Sequence, residues 1–357
     1  MKNIFVISII ISLLPVISKS QEIIDKVSKS FAGVESIEVK GFFCSVEIEE
    51  GVGSTVQFEG EISASKQYDS YLIKYEQNLN HLRVWVEVPN KMNAQINGFL
   101  KFEIPRNVSV TVKNISGNVS VSGVGYKELV LYTVSGSIKV EDIPCDADLA
   151  TVSGSISGKF INGDLTAKTT SGTIITSNVL GNLVANSISG SIKAFDINGY
   201  ANLSNVSGSI NLNNILKDVT VSTVSGTLFI AETYSNVTGR NVSGKIEVKD
   251  VKGNLKLSNV SGKITLNNII GEFDISSTSS SIQGSSVMIT GNSQFKTGAG
   301  SIDIELLNAS NSLSYELRST SGSLEAEKIK SEKRLSIKDG PLTISGSTVS
   351  GSQKYHR

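Results

Sequence analysis

Histidine is nearly missing from this chain: His81 and His356 are the only two among 357 residues. A Ser-His-Asp or Cys-His constellation needs an imidazole within hydrogen-bond reach of its nucleophile. His81 stands among polar residues of an alternating segment and His356 one residue from the C-terminus, so neither falls in a catalytic pattern. Two cysteines, Cys44 and Cys145, are too few for a disulfide framework. Charge of one sign is absent as well: 33 basic residues offset 33 acidic ones. A nucleic-acid binder carries a basic footprint, so nucleic acid is not an expected partner. With five prolines and 6% aromatics the chain has little to interrupt regular structure and little with which to build a bulky core.

Long apolar runs are confined to the first twenty residues. Lys2 supplies a charged start, Ile4 to Ile17 an apolar stretch, and Ser18-Lys19-Ser20 a small-x-small cleavage site ahead of Gln21. Residues 1–20 therefore read as an export signal, and the mature protein as periplasmic, cell-surface or secreted. No cysteine follows the cleavage site to carry a lipid, and no later run reaches the ~20 residues of a membrane span.

What the chain has in abundance is repetition. VSGSI and its variants recur every 18 residues, with central glycines at 136, 154, 172, 190, 208, 226, 244 and 262, and Ser280 at the next step. A period this strict means stacked units that bury apolar faces only against their neighbours. With each glycine as position 0, apolar residues fall at +2, +4, +7, +11, +13 and +16, as in Ile246, Val248, Val251, Leu255, Leu257 and Val260. Position +9 is again often glycine, at 163, 181, 199, 253 and 271. The period-two alternation within each half marks strands. The expected fold is all-β: a right-handed parallel β-solenoid with 18-residue coils of two strands each, preceded by a small β-rich N-terminal cap.

Parity places position 0 in mid-strand, pointing inward, with Gly208 against Val219 of the returning strand. Corners then fall at +5/+6 (Asn213-Asn214, Lys249-Asp250) and +14/+15 (Ser204-Asn205, Ser222-Thr223, Ser258-Asn259), residues that accept turn geometry. The alternative is that Ser-Gly-Ser is itself a turn. Lys217 and Ser235 at +9 do not suit a buried glycine site and suggest a local bulge.

The expected organisation is a signal peptide at 1–20 and a β-rich capping region at 21–106. The regular solenoid follows at 107–282, then degenerate repeats with a C-terminal cap at 283–346 and a flexible tail at 347–357. In the leader, Arg83 and Trp85 point away from the apolar Leu82/Val84/Val86 face and form a possible contact site. Cys44 and Cys145 would lie several coils apart if the leader stacks in chain order, which favours two unpaired thiols.

The leader phrases SIEVKGFFCSVEIE and FEIPRNVSVTVKNISGNVSVSGV, followed by iterated VSGSI, resemble the bacterial DUF4097 family, regarded as adhesins and similar to head-GIN-type β-helix domains. The resemblance implies an envelope or surface protein without transferable catalytic residues. Some relatives are linked to envelope-stress signalling.

Chemistry-bearing constellations are few. Glu247 and Asp250 are the nearest carboxylate pair for glycosidase chemistry, which needs a separation of ~5–9.5 Å, yet both suit a solvated surface. A calcium nonapeptide roll needs corner aspartates, where this chain has Asn, Ser and Thr. No metal and no cofactor is expected. The corner sequons at Asn205, Asn241 and Asn259 would be glycan acceptors only in a host using that code.

The remaining candidate is the surface. Ser189, Ser191, Ser207, Ser209, Ser225 and Thr227, at +17 and +1, flank the glycines as two hydroxyl columns that could meet a polymer such as a glycan or even ice. Lys245 and Lys263 interrupt the ice pattern. The expected function is an exported, non-enzymatic adhesin binding a surface or envelope ligand. An envelope-stress or regulatory binding module is the alternative, and a polysaccharide-active enzyme the third.

Overall fold

The computed structural model describes residues 22–65, 70–89 and 96–357. The export segment lies outside them. The architecture is a parallel β-solenoid in which each strand pairs with the equivalent strand one repeat earlier and later. Ile210–Ile215 lies between Ile192–Ile197 and Leu228–Thr233, and Val219–Ser225 lies between Ala201–Ser207 and Val237–Ser243. About eleven coils follow one another from Ser109 to Leu306. At ~4.8 Å per coil they form a stack ~50 Å long.

One coil explains the rest. Ile210, Leu212, Ile215, Val219 and Val221 are all buried, so +2, +4, +7, +11 and +13 build the core. The three-residue gap from +4 to +7 breaks strand alternation, and the backbone shows why. The +6 residue takes a left-handed φ of 52–58° in every coil from Asp142 to Ser286, which turns +7 back inward. Asp and Asn predominate there because they tolerate that region at least cost. The side chains also support one another, Asn214 Nδ2 donating to Asp196 Oδ1 at 2.7 Å and Asn268 Nδ2 to Asp250 Oδ1 at 2.7 Å.

The second corner is where the structure departs from the expected one. The turn is made by Ser-Gly-Ser, and +15 is a buried strand position. Alternation from Val219 and Val221 continues to Thr223, so +16 faces solvent: Val206, Val224, Val242 and Val260 are 47–48% exposed. The expected inward, mid-strand glycine facing +11 is thereby overturned. A Cβ on Gly154, Gly172 or Gly190 would lie 1.6–1.8 Å from the carbonyl oxygen of the glycine one coil earlier. A column of glycines packs backbone against backbone along this edge as far as Gly262, with no room for a side chain, and Ser280 takes the next place.

Both ends of the stack are built out of chain order. Ser36–Phe42 and Ser45–Glu50 form a coil held between His81–Glu87 with Ile96–Ile104 on one side and Ser109–Asn114 with Val119–Ser122 on the other. The capping leader is therefore made partly of solenoid coils. At the far end, Leu342–Ser350 lies between Ser293–Ala299 and Leu313–Ser321, and Gln353–His356 between Ile302–Leu306 and Leu324–Ala326. The expected flexible tail is instead an inner layer, with Tyr355 1% exposed. Antiparallel strands close both ends: Leu72–Asn78 and Thr55–Ala64 at one, Arg334–Lys338 and Ile329–Ser331 at the other. Such strands cover edges that would otherwise template association.

Candidate functional site

The Ser-Gly-Ser edge is organised by the buried polar residue at +15. Thr151 Oγ1 donates to Gly136 O at 3.0 Å and accepts from Gly154 N at 3.1 Å, and Thr169 does the same between Gly154 and Gly172. Further along, Asn205, Asn241 and Asn259 donate Nδ2 to Gly190, Gly226 and Gly244 O at 2.6–3.1 Å. Burial of these asparagines removes them as glycan acceptors. The unbroken run of Thr, Ser and Asn at +15 was the signal for this role, and it looks the same as a turn signal in one dimension.

From Gly208 onward the corner changes form. The glycines at 208, 226, 244 and 262 adopt φ of +128 to +151°, and Gly208 N donates forward to Ser225 O at 3.0 Å. This edge carries the predicted hydroxyl columns. Ser207, Ser225, Ser243 and Ser261 stand in register, one above another. Ser189, Ser207, Ser209 and Ser225 are exposed, while Ser191 and Thr227 are half-buried. The sequence reading missed the aliphatic column beside them, where Ile115, Val152, Ile188, Val206, Val224, Val242 and Val260 are left in solvent. Hydroxyls and methyl groups thus alternate across a narrow strip from Ile188 to Val260, interrupted at +1 by Lys245 and Lys263.

Arg83 and Trp85 lie at the N-terminal end, far along the axis from mid-array Ser207. The Arg83 guanidinium sits 5.2 Å over the Trp85 ring, and its Nε lies 3.7 Å from Glu38 Oε2. The two residues stack on each other and Arg83 lies beside a carboxylate, although its buried Nε makes no hydrogen bond. They are not brought together with the serines.

The remaining candidates are engaged by ordinary surface partners. Glu247 pairs with Lys245 at 2.6 Å and Asp250 with Lys249 at 3.6 Å. His81 Nδ1 is 2.9 Å from Ser36 Oγ and His356 Nε2 is 3.0 Å from Asp303 Oδ1. Among the described residues no group of three or more His, Cys, Asp or Glu is placed to hold a metal, and no helix is long and apolar enough to cross a membrane. Cys44 and Cys145 are both free. Burial pushes the Cys44 thiol up to about 12, and burial with the nearby Asp146 and Glu128 carboxylates pushes Cys145 up to about 11, so both stay protonated at neutral pH.

Fold and surface define a parallel β-solenoid, a ladder whose side chains are displayed at fixed spacing. The chain belongs to the DUF4097 family, described as Toastrack, whose pattern matches residues 105–231 and 175–351. No curated protein sequence matches it. Among solved structures, similarity reaches a "putative cell adhesion protein" from Clostridium sporogenes, at 9% identity over 94% of this chain and 99% of that one, TM-score 0.21. It also reaches a "putative adhesin" from Parabacteroides merdae at 15% identity (78% and 96% covered, TM-score 0.29). A "putative lipid binding protein" from Parabacteroides distasonis matches at 13% identity (78% and 96% covered, TM-score 0.27). Likeness at this level bears on neither ligand nor location.

Proposed function

We propose that the protein is an exported, non-enzymatic binding solenoid that holds a surface or envelope ligand, a glycan first of all, along its Ser-Gly-Ser edge. Export is supported by the charged, apolar and small-residue order of residues 1–20. The observation that carries the binding role is the aliphatic column left in solvent beside the two hydroxyl columns. Contiguous exposed apolar surface with a polar rim marks interaction sites. A regular strip of methyl and hydroxyl groups suits a repeating polymer, whose C–H faces and hydroxyls recur along its length.

The test is steric. Ser207→Tyr, Ser209→Tyr, Ser225→Tyr and Thr227→Tyr combined should abolish capture of glycans or envelope extract while leaving the melting temperature close to wild type, since outward positions rarely shift stability by more than ~0.5 kcal/mol. Undiminished binding by a folded quadruple variant would refute the assignment to this edge.

A further inference from the structure

The opposite edge of the coil, at +8 to +10, is also periodic, and its two periodic columns fail at the same place. The +9 column is glycine at 163, 181 and 199, and a Cβ at Gly199 would lie 2.3 Å from Gly181 O. The next two members are Lys217 and Ser235, after which Gly253 and Gly271 resume. The +10 column is a ladder of Asp and Asn oxygens, each accepting the backbone N–H of the next coil. Asp146 Oδ1 accepts from Asp164 N, Asp164 Oδ1 from Asn182 N and Asn182 Oδ1 from Tyr200 N, at 2.8–3.1 Å. Asp218, Asn236 and Asn254 continue the pattern towards Glu272. Tyr200 interrupts it, because a phenol hydroxyl sits too far from its own backbone to accept from Asp218 N.

A column with no room for a Cβ accommodates Lys217 and Ser235 only by opening. Gly181 N and Gly199 N donate to the glycine one coil earlier at 3.2 and 3.0 Å; among the described residues no equivalent bond forms from Lys217 or Ser235, and Gly253 N donates forward to Ile270 O at 2.9 Å instead. The neighbouring +8 bond stretches to 3.5 Å at Tyr234 N, against 2.9–3.0 Å from Leu180, Asn198 and Leu216. At this opening lies a shallow surface pocket of about 520 Å³, open to solvent and lined by Tyr200, Asn202, Lys217, Asp218, Thr220 and Ser235. Its size falls within the ~300–1,000 Å³ of small-ligand pockets.

We infer that this break is a binding site for an acidic sugar unit of a polysaccharide, such as a hexuronate. The Tyr200 ring, 46% exposed, offers a face for the C–H side of a pyranose. Asn202 and Thr220 stand side by side in register on adjacent coils and present amide and hydroxyl groups to sugar hydroxyls. Asp218 Oδ1 is held by Ser235 Oγ at 2.5 Å, while no donor among the described residues reaches its other oxygen, which is left to accept. Lys217 is exposed and has no carboxylate within 4.0 Å among the described residues, so its ammonium is available for the ligand's carboxylate. Tyr234, 59% exposed with Lys252 Nζ 5.9 Å from its ring, lies two coils after Tyr200 and continues the aromatic-cationic pairing along the axis. This site is separate from the Ser-Gly-Ser edge and does not depend on it.

The experiment is calorimetric titration of the full chain with oligogalacturonate, neutral dextran oligomers and poly-L-glutamate. Oligogalacturonate should bind best. Lys217→Met should weaken it at least tenfold and flatten its salt dependence. Tyr200→Asn restores the interrupted ladder, so it should abolish binding with no loss of melting temperature. The tyrosine quadruple variant of the serine edge should bind oligogalacturonate as wild type does. No binding of oligogalacturonate, equal binding of dextran or poly-L-glutamate, retained binding by Tyr200→Asn, or a lowered melting temperature in that variant would each overturn the assignment.

Discussion

Gly208 shows how much a single residue carries here. A Cβ at this position would lie 2.5 Å from Gly190 O and 2.9 Å from Asn205 Nδ2, on a backbone with φ of +134°. Gly208→Ala should therefore destabilise by ~1–3 kcal/mol or more in denaturant unfolding, from strain in the glycine-only region and the clash together. Ser207→Ala, one residue away and exposed, should stay within ~0.5 kcal/mol. The +15 column offers a sharper contrast. Asn205 donates to Gly190 O at 2.6 Å while its own buried Oδ1 has no partner, whereas the buried Thr223 hydroxyl makes no hydrogen bond at all. Asn205→Ala strands a buried carbonyl and should cost ~1–3 kcal/mol. Thr223→Val removes an unsatisfied group at constant shape and should be neutral or stabilising by the same measurement.

Among the elements, Gln353–His356 has the clearest test. It supplies the rung between Ile302–Leu306 and Leu324–Ala326, and Arg357 beyond it pairs with Glu327 at 2.5 Å. Deleting residues 353–357 would strip one edge of each neighbouring strand of its pairing and leave the Phe295 and Tyr315 rings without Tyr355. Proteolysis of the truncated chain should then begin within 313–350. The Glu327 carboxyl is raised by burial, but the hydrogen bonds from Arg357 and Tyr315 outweigh this and hold it below the usual carboxylate range. A depressed folded pKa contributes stability above the unfolded value and loses it as pH falls through the folded one. Protection of this end in hydrogen exchange should thus persist at neutral pH and fall on acidification below the ordinary glutamate pKa. Arg357→Ala should remove most of that pH dependence.

The whole molecule is a one-dimensional stack, and each coil meets only its neighbours. Its stability is spread over backbone ladders, glycine columns and five inward side chains per coil. The corners carry Asp beside Asn, Ser and Thr, but among the described residues no group of three or more acidic side chains gathers to bind a hard cation. Addition of a calcium chelator should accordingly leave the thermal unfolding curve unchanged; a calcium-dependent rise in melting temperature would contradict this account of the corners. Distributed stability also lets the array absorb a local break, which is why Tyr200, Lys217 and Ser235 can depart from the repeat without ending it.

The sequence by itself determined the 18-residue coil, the parallel stacking and the inward residues at +2, +4, +7, +11 and +13. Strand alternation and the steric freedom of Asp and Asn are local properties, and a strict period multiplies them nine times over. The serine columns were legible for the same reason. Whether the second turn falls at Ser-Gly-Ser or at +14/+15 was not, because both choices satisfy the alternation within one coil. Contact with the next coil decides it, since glycine carbonyls approach so closely that only a turn at position 0 lets +15 reach them, and this sends Val206 and its equivalents outward. The ends were equally hidden. Ser36–Glu50 and Leu342–His356 sit between layers distant in the chain, and which coil edge a strand joins depends on shape and pairing across the stack. Lys217, Ser235 and Tyr200 appeared in the sequence as separate lapses from two patterns; only folding brings +9 and +10 of successive coils together around one pocket.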